Sequence, residues 1–398
     1  MAKPIKILHV DQAVAFGGSI ISISHAIRNF DPKEVTAILV AEMPMETLIN
    51  HIPRNTKIYI NKHIMNYSHW AKINERLDKV SLLILRKLTI YALSIVKIFS
   101  DIIYSIGLFL IAVKEQPDII HINNGMDVVE ANIVAKVLNK KCIVHQRGDS
   151  GINFLRSCFY NRTEKFIAVS NHTKQNMVNQ GFPEGKITVM FDPISLHNKV
   201  REDIKKKYGL EAQSKCFGIF GRIVDWKGQD VFVKAAIDVL GSMPEAVAFI
   251  VGDPSDGSNT YFNKIKDIVD SSPVSDRIFF SGYVQNVDDY YHIMDLVVHA
   301  SIEPEPFGMV ITEAMAKGVP VIASNEGGPL DIIDNGVNGI LIPPGNPMVL
   351  KKAILSMLRN DMKRREMGEE ARKKALKHYN PTEYARNLTR IYKDLLNR

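Results

Sequence analysis

Cysteine is scarce in this chain: Cys142, Cys158 and Cys216 are three in 398 residues, widely spaced and without a CxxC pair. That excludes a disulfide framework and a structural zinc site, and fits buried free thiols. No convincing cluster of metal ligands stands elsewhere in the sequence, so no metal or other cofactor is expected. A GxGxxG fingerprint is missing too. Phe16-Gly17-Gly18-Ser19 follows the first strand-like run, but the acidic partner expected after a second strand is not in place, which argues against a nicotinamide dehydrogenase. Zinc-finger, RNP and KH signatures are absent, so nucleic acid is not an expected partner. Long apolar runs are lacking: within the apolar segment 77–113 the longest uncharged stretch is about 12 residues, short of the roughly 20 that a spanning helix needs. The strand-like run Ile5–Val10 begins almost at once and leaves no room for a signal peptide, so the chain is expected in the cytosol.

What is present is length, apolar content and an uneven charge. With 398 residues, 46% of them hydrophobic, the chain can build two domains of ordinary size. Residues 1–195 hold 23 basic and 16 acidic side chains, whereas 196–398 hold 27 of each, so the whole net charge of +7 lies in the first half. A basic half suits an anionic membrane or a phosphorylated ligand. Segment 77–113 carries Leu85, Leu88, Ala92, Ile95, Phe99, Ile102, Ile106 and Leu110 at three and four spacing, interrupted by Arg86, Lys87, Lys97 and Asp101. Two readings stay open for it: helices lying at a membrane interface, or helices in the core of the first domain.

Strand-like and helix-like segments alternate through both halves, which implies parallel sheets with right-handed crossovers. The expected division is a first domain at 1–195, a linker at 196–213, a second domain at 214–378 and a last amphipathic helix at 379–398. Paired glycines at Gly17 and Gly18 let backbone approach a ligand at a helix start, or merely make a tight turn. Two strand-like runs end in polar loops, Ile119–Gly125 and Cys142–Asp149. Their His121, Asn123, His145, Arg147 and Asp149 are candidates for an acceptor site, because open α/β sheets bind ligands at the carboxyl ends of their strands.

The strongest signal is Ser301–Ala314, which follows the buried-strand run Leu296–Ala300. Pro304 and Pro306 forbid a regular helix before Phe307, and the stretch from Met309 to Lys317 then reads as helical. Glu305 and Glu313 frame the helix start, with the amides of Phe307, Gly308 and Met309 between them as an anion cradle. Eight helical residues span about 12 Å, beyond the roughly 5–9.5 Å of a glycosidase acid pair, so a hydrolase is disfavoured. Earlier in the same half, Gly221-Arg222-Ile223-Val224-Asp225-Trp226-Lys227-Gly228 places two cations five residues apart at a strand end. Such a pair can neutralise a leaving diphosphate without a metal.

These motifs together resemble the retaining glycosyltransferases of family four, over almost the whole second half; Asn325-Glu326-Gly327-Gly328-Pro329-Leu330-Asp331 and Asn335–Gly339 extend the likeness. The resemblance implies the GT-B fold: two Rossmann-like α/β domains facing across a cleft, with a final helix crossing back to the first. It implies that Arg222 and Lys227 grip the diphosphate beside Gly221, that Glu305 binds hydroxyls of the transferred sugar, and that Glu313 holds the ribose. The amides of Phe307, Gly308, Met309 and Val310 would touch sugar or phosphate, Tyr283 and Val284 would lie near the base, and Gly17 and Gly18 near diphosphate and acceptor. Many relatives carry a histidine where this chain has Asn123, which leaves His145 as the candidate catalytic imidazole.

The expected activity is therefore transfer of a hexose or N-acetylhexosamine, with retention, from a UDP- or GDP-sugar to a polyprenyl-diphosphate-linked glycan at the inner face of the plasma membrane. Two alternatives are a soluble enzyme acting on a free sugar or sugar phosphate, and an inactive nucleotide-binding scaffold.

Overall fold

The computed structural model describes residues 3–13, 17–65, 83–126, 128–148, 158–160, 163–195, 200–254 and 260–397. The chain forms two compact units: Met1–Val169 with Thr173–Pro193 and Pro381–Arg398, and Ser170–His172 with Ile194–Asn380.

The first unit is built on a parallel sheet of β1 (Ile5–Asp11), β2 (Val35–Ala41), β3 (Lys57–Ile60), β4 (Ile119–Ile122), β5 (Lys141–Gln146), β6 (Lys165–Ala168) and β7 (Ile187–Val189), in the order β3-β2-β1-β4-β5-β6-β7. The second carries β8 (Lys215–Phe220), β9 (Ala246–Val251), β10 (Ile278–Gly282), β11 (Leu296–His299), β12 (Val321–Ser324) and β13 (Ile340–Ile342), in the order β10-β9-β8-β11-β12-β13. Central strands are buried along their whole length, as in β4, β9, β11 and β12, because helices cover both faces of a parallel sheet. In each sheet the order reverses once, between β1 and β4 and between β8 and β11. Ligands of open α/β sheets bind at the carboxyl ends of the strands at such a reversal.

Two expectations change. β3 has no counterpart in the sequence reading, since this short edge strand lacks a buried run and its side chains are exposed or half-buried. Residues 196–213, expected as a linker, belong to the second unit where they are described: Ile204 is buried, and Tyr208 packs on Phe249 and Phe279 with ring centroids 5.3 and 4.9 Å away.

The apolar segment 77–113, described from residue 83, is one helix, Leu83–Glu115. It is both core and surface. Tyr104, Leu108 and Ala112 are fully buried in the first unit, while Tyr91, Ile98, Phe99, Ile106 and Leu110 are more than half exposed. Its part Thr89–Glu115 is long and apolar enough, by length and composition, to cross a membrane. The uninterrupted-run criterion understates this, because Lys97 and Asp101 neutralise each other one turn apart, at 2.7 Å.

The last helix, Pro381–Leu396, belongs to the first unit. Its apolar stripe Tyr384, Ala385, Leu388 and Tyr392 is buried with Ile20 and Ile23 of the helix Gly18–Asn29, each large side chain contributing about 1.5–3 kcal/mol. Polar contacts fix its register: Tyr392 Oη lies 2.7 Å from His121 Nδ1, and the Ser22 hydroxyl lies 3.1 Å from that of Tyr384. Arg147 is the hub. Its guanidinium pairs with Asp192 and donates to Ser22 Oγ at 3.1 Å, with Tyr384 Oη at 3.4 Å. Replacing Arg147 by Met leaves a buried Asp192 carboxylate without its partner, which costs about 3–5 kcal/mol. Hydrogen exchange should then quicken through 381–396 while Ile194–Asn380 keeps its protection; unchanged exchange in the last helix would remove this hub from the account.

Candidate functional site

In the second unit two loops converge at the reversal between β8 and β11. β8 runs directly into Gly221 and Arg222, and a single turn of 3-10 helix, Asp225–Lys227, ends at Gly228 in the left-handed region, with φ 68°. A Cβ on Gly228 would sit 2.1 Å from the Ala300 carbonyl oxygen, so this turn can lie on the end of β11 only with glycine there. The contact is sealed by a hydrogen bond from Ile302 N to Trp226 O at 2.8 Å. From the other side, Gly328 N donates to Glu305 O at 2.6 Å. A Cβ on Gly327 or Gly328 would come within 2.3 Å of the Glu305 or Phe307 carbonyl oxygen. The Asn325–Asp331 motif therefore works as a backbone clamp on residues 305–307.

Held by both turns, the Glu305 carboxylate meets Lys227. Its Oε2 accepts from the Lys227 ammonium, lies 3.0 Å from His299 Nε2 and takes a hydrogen bond from Ser301 Oγ at 3.3 Å. Oε1 has no partner among the described residues. The Lys227 ammonium also lies 4.1 Å from the centre of the Trp226 ring, a cation–π contact. Burial acts to raise the Glu305 pKa, but the Lys227 charge, with help from His299, outweighs it and holds the carboxyl at about 2.

The helix Met309–Ala316 starts at Gly308, which is left-handed with φ 105°. Its opening N–H groups on Gly308, Met309 and Val310 have no hydrogen-bond partner among the described residues, and together with the helix dipole they favour an anion. Glu313, half-buried one and a half turns further on, accepts from Tyr291 Oη at 3.0 Å. Burial dominates its titration. Asp288 adds to burial, the Tyr291 hydrogen bond and Lys317 oppose it, and the carboxyl is pushed up to about 7.

Arg222 is exposed and its guanidinium makes no ion pair or hydrogen bond among the described residues; Lys227 is spent on Glu305. Tyr283, 71% exposed, and half-buried Val284 follow β10, the edge strand two places from β8. His299, Ser301 and Tyr291 went unnoticed in the sequence. The available signal was a polar residue closing each apolar run at a strand end, with His299 the last residue of β11.

The first-unit candidates fare differently. His145 and His121 are wholly buried, their rings stacked 5.8 Å apart on neighbouring strands β5 and β4, with His9 of β1 next in the row at 5.1 Å. Burial first, and then Arg147, holds the His145 imidazole well below its ordinary range, hence neutral. Among the described residues the His145 imidazole, the candidate catalytic group, packs in the core beside His121 and is closed off from solvent. His121 is occupied by Tyr392. Asn123 is buried and donates to Asp11 Oδ2 at 2.5 Å and Ser19 O at 3.0 Å, and its backbone and side-chain oxygens accept from Arg147 at 3.0 and 3.2 Å. These three residues secure the first unit instead of lining an open site. Asp149 lies outside the described residues. Gly17 and Gly18 open the first helix directly after the β1 loop, the Gly17 carbonyl accepting from Ile21 N at 3.1 Å.

Two parallel-sheet units, with two cations and a buried carboxylate brought to one sheet reversal, make up an α/β architecture of the GT-B glycosyltransferase class. Residues 200–374 match the family described as glycosyl transferases group 1, and residues 85–198 the one described as glycosyltransferase family 4. The second half of the chain is thus similar to the group 1 glycosyltransferases, and part of the first half to glycosyltransferase family 4. It is 28% identical over 198 residues to the lipopolysaccharide core biosynthesis mannosyltransferase LpsB of Rhizobium meliloti (strain 1021), covering 49% of this chain and 56% of that protein. The chain thus spans little more than half the length of the curated relatives it matches. Its fold is that of a glycosyltransferase from Rickettsia africae ESF-5, with TM-score 0.80, 22% identity and 99% of both chains covered. It is equally that of Anabaena Alr3699/HepE in complex with UDP-glucose, with TM-score 0.79, 19% identity, and 98% and 100% covered.

The depressed Glu305 titration is a stability statement with a definite sign. A carboxyl lowered from 4.5 to about 2 contributes about 3 kcal/mol at 1.36 kcal/mol per unit. That contribution is complete above pH 4.5 and is lost as pH falls towards 2. Glu305→Gln should lower the calorimetric transition of the second unit at pH 7, with the gap to wild type closing below pH 4.5; a gap independent of pH would refute the pairing.

Proposed function

We propose that this chain is a glycosyltransferase that moves a hexose or N-acetylhexosamine from a UDP- or GDP-sugar to a lipid-linked glycan in cell-envelope polysaccharide assembly, with retention of anomeric configuration and without a metal at the donor. The observation that carries the reading is the Lys227–Glu305 pair at the β8/β11 reversal, with the unpaired Arg222 guanidinium on the same loop.

On donor binding the diphosphate takes the place of a counterion for Arg222 and Lys227, and the Gly308–Val310 amides receive sugar or phosphate oxygens. Glu305 Oε1 accepts from a sugar hydroxyl, Glu313 from the ribose, and Tyr283 and Val284 border the base. In the transfer, the bond from the anomeric carbon to the diphosphate oxygen breaks and its electron pair leaves with the diphosphate. The acceptor hydroxyl oxygen forms the new bond on the same face, and its proton passes to the departing phosphate oxygen. Arg222 and Lys227 stabilise the charge that grows on that leaving group, which is where fixed cations lower a barrier most.

The acceptor class rests on the helix Leu83–Glu115. Its exposed Tyr91, Ile98, Phe99, Ile106 and Leu110 form an apolar stripe on the basic half of the chain, with Lys87 and Lys114 along the helix. A lipid leaflet suits such a surface, each nearby cation adding about 1 kcal/mol on anionic lipid. The named relative in lipopolysaccharide core biosynthesis supports the same direction. The site of action would then be the cytoplasmic membrane surface.

Three experiments test this reading. A saturating UDP- or GDP-sugar, at 100 times its dissociation constant, should stabilise the protein by about 2.7 kcal/mol. Arg222→Ala should leave the thermal midpoint in place, being an exposed and unpaired residue, yet reduce kcat by about 10²-fold or more; full turnover in that variant would remove Arg222 from the leaving-group role. For the acceptor, the protein should sediment with vesicles containing phosphatidylglycerol at low salt, and Phe99→Asp with Ile106→Asp should abolish this. Indifference of the wild-type protein to such vesicles would favour a soluble acceptor.

A further inference from the structure

A second polar cluster lies in the first unit, apart from the residues of the proposed donor site. After β3 the chain passes over the long helix and is pinned to it on both sides of His63: Asn61 Nδ2 donates to Tyr104 O at 2.9 Å, and Met65 N to Ser100 Oγ at 2.9 Å. His63 is thereby laid flat on Tyr104, with ring centroids 4.0 Å apart and planes 7° from parallel. Its Nδ1 is bonded to the buried carboxylate of Glu42 just beyond β2, and its Nε2 faces Asp101 Oδ1 at 3.6 Å. Glu130, from the helix Val129–Val137, completes a trio in which one ligand atom each of His63, Asp101 and Glu130 lies within 4.8 Å of the others.

Three features set this group apart from an ordinary solvated acidic patch. Asp101 Oδ1 and Glu130 Oε2 are buried without a hydrogen-bond partner among the described residues. Among the described residues, Lys97, paired with the other oxygen of Asp101 at 2.7 Å, is one cation against the carboxylates of Glu42, Asp101 and Glu130. The Glu42–His63 bond is the arrangement in which an outer carboxylate fixes the tautomer of a ligating imidazole and leaves the other nitrogen for the ion.

We propose that His63 Nε2, Asp101 and Glu130 bind a divalent first-row transition ion such as zinc or manganese, with Glu42 as outer-shell support and one coordination position left open. The geometry suits such an ion: ligands at about 2.1 Å in a tetrahedral set lie about 3.4 Å apart, close to the Nε2–Oδ1 separation of 3.6 Å. An imidazole in the set selects zinc, manganese or iron over magnesium and calcium, which prefer all-oxygen sites. The site neither uses nor requires the donor residues.

Chelator-stripped full-length protein is titrated calorimetrically with Zn²⁺ alone, and with Co²⁺ alone by visible absorption. Wild type should take up one saturable equivalent that excess Mg²⁺ does not displace. Asp101→Asn with Glu130→Gln should weaken binding at least tenfold, Glu42→Gln about 10–100-fold, and Glu305→Gln not at all. Absence of a saturable equivalent in the wild-type protein overturns the assignment, whatever the variants do. Equal affinity in the folded double variant, checked by circular dichroism, overturns it as well.

Discussion

The second unit depends on one ion pair that burial makes expensive to leave half-formed. Lys227 and Glu305 are largely withdrawn from water, where either charge alone would cost several kcal/mol. The backbone is arranged to keep them together: Gly228 lets the cationic turn lie against Ala300, and Gly327 with Gly328 closes on Glu305 from the opposite side. A carboxylate fixed in this way keeps its charge at any physiological pH, and its unused Oε1 is directed by the same clamp. The structural constraint and the proposed hydroxyl-binding group are one side chain.

In the first unit the same kind of residue, at the same ends of parallel strands, is put to another use. Arg147, Asn123, His121 and His145 face inward and are consumed in docking the final helix and in packing against His9. Strand-end polar residues thus divide into those that support the unit and those left for ligands, and burial decides between them. Neutral imidazoles suit the first role, because desolvation disfavours their charged form.

Much of the fold was legible because its signals are local. Apolar runs such as Ala246–Val251 and Leu296–His299, short and rich in β-branched residues, read as buried strands of a sheet covered on both faces, and Pro304 and Pro306 delay the helix that then begins at Met309. β3 escaped notice because an exposed edge strand needs no apolar run. The helix Leu83–Glu115 defied a choice between core and surface because its residues are apolar on both faces, and only packing shows which face is covered.

By itself the sequence determined two parallel-sheet halves, a pair of cations five residues apart at Arg222 and Lys227 and a carboxylate ahead of a helix start, since turn chemistry and hydrophobic period act over a few residues. Only the tertiary structure decided which charges meet. Lys227 and Glu305 stand 78 positions apart and Arg147 and Tyr384 stand 237 apart, and no local pattern reports a pairing at that range. It decided also that His145 is buried and that ligand atoms of His63, Asp101 and Glu130 come within 4.8 Å of one another. Burial and proximity are properties of the packed chain, and they set both the charge of a titratable group and whether a ligand can reach it.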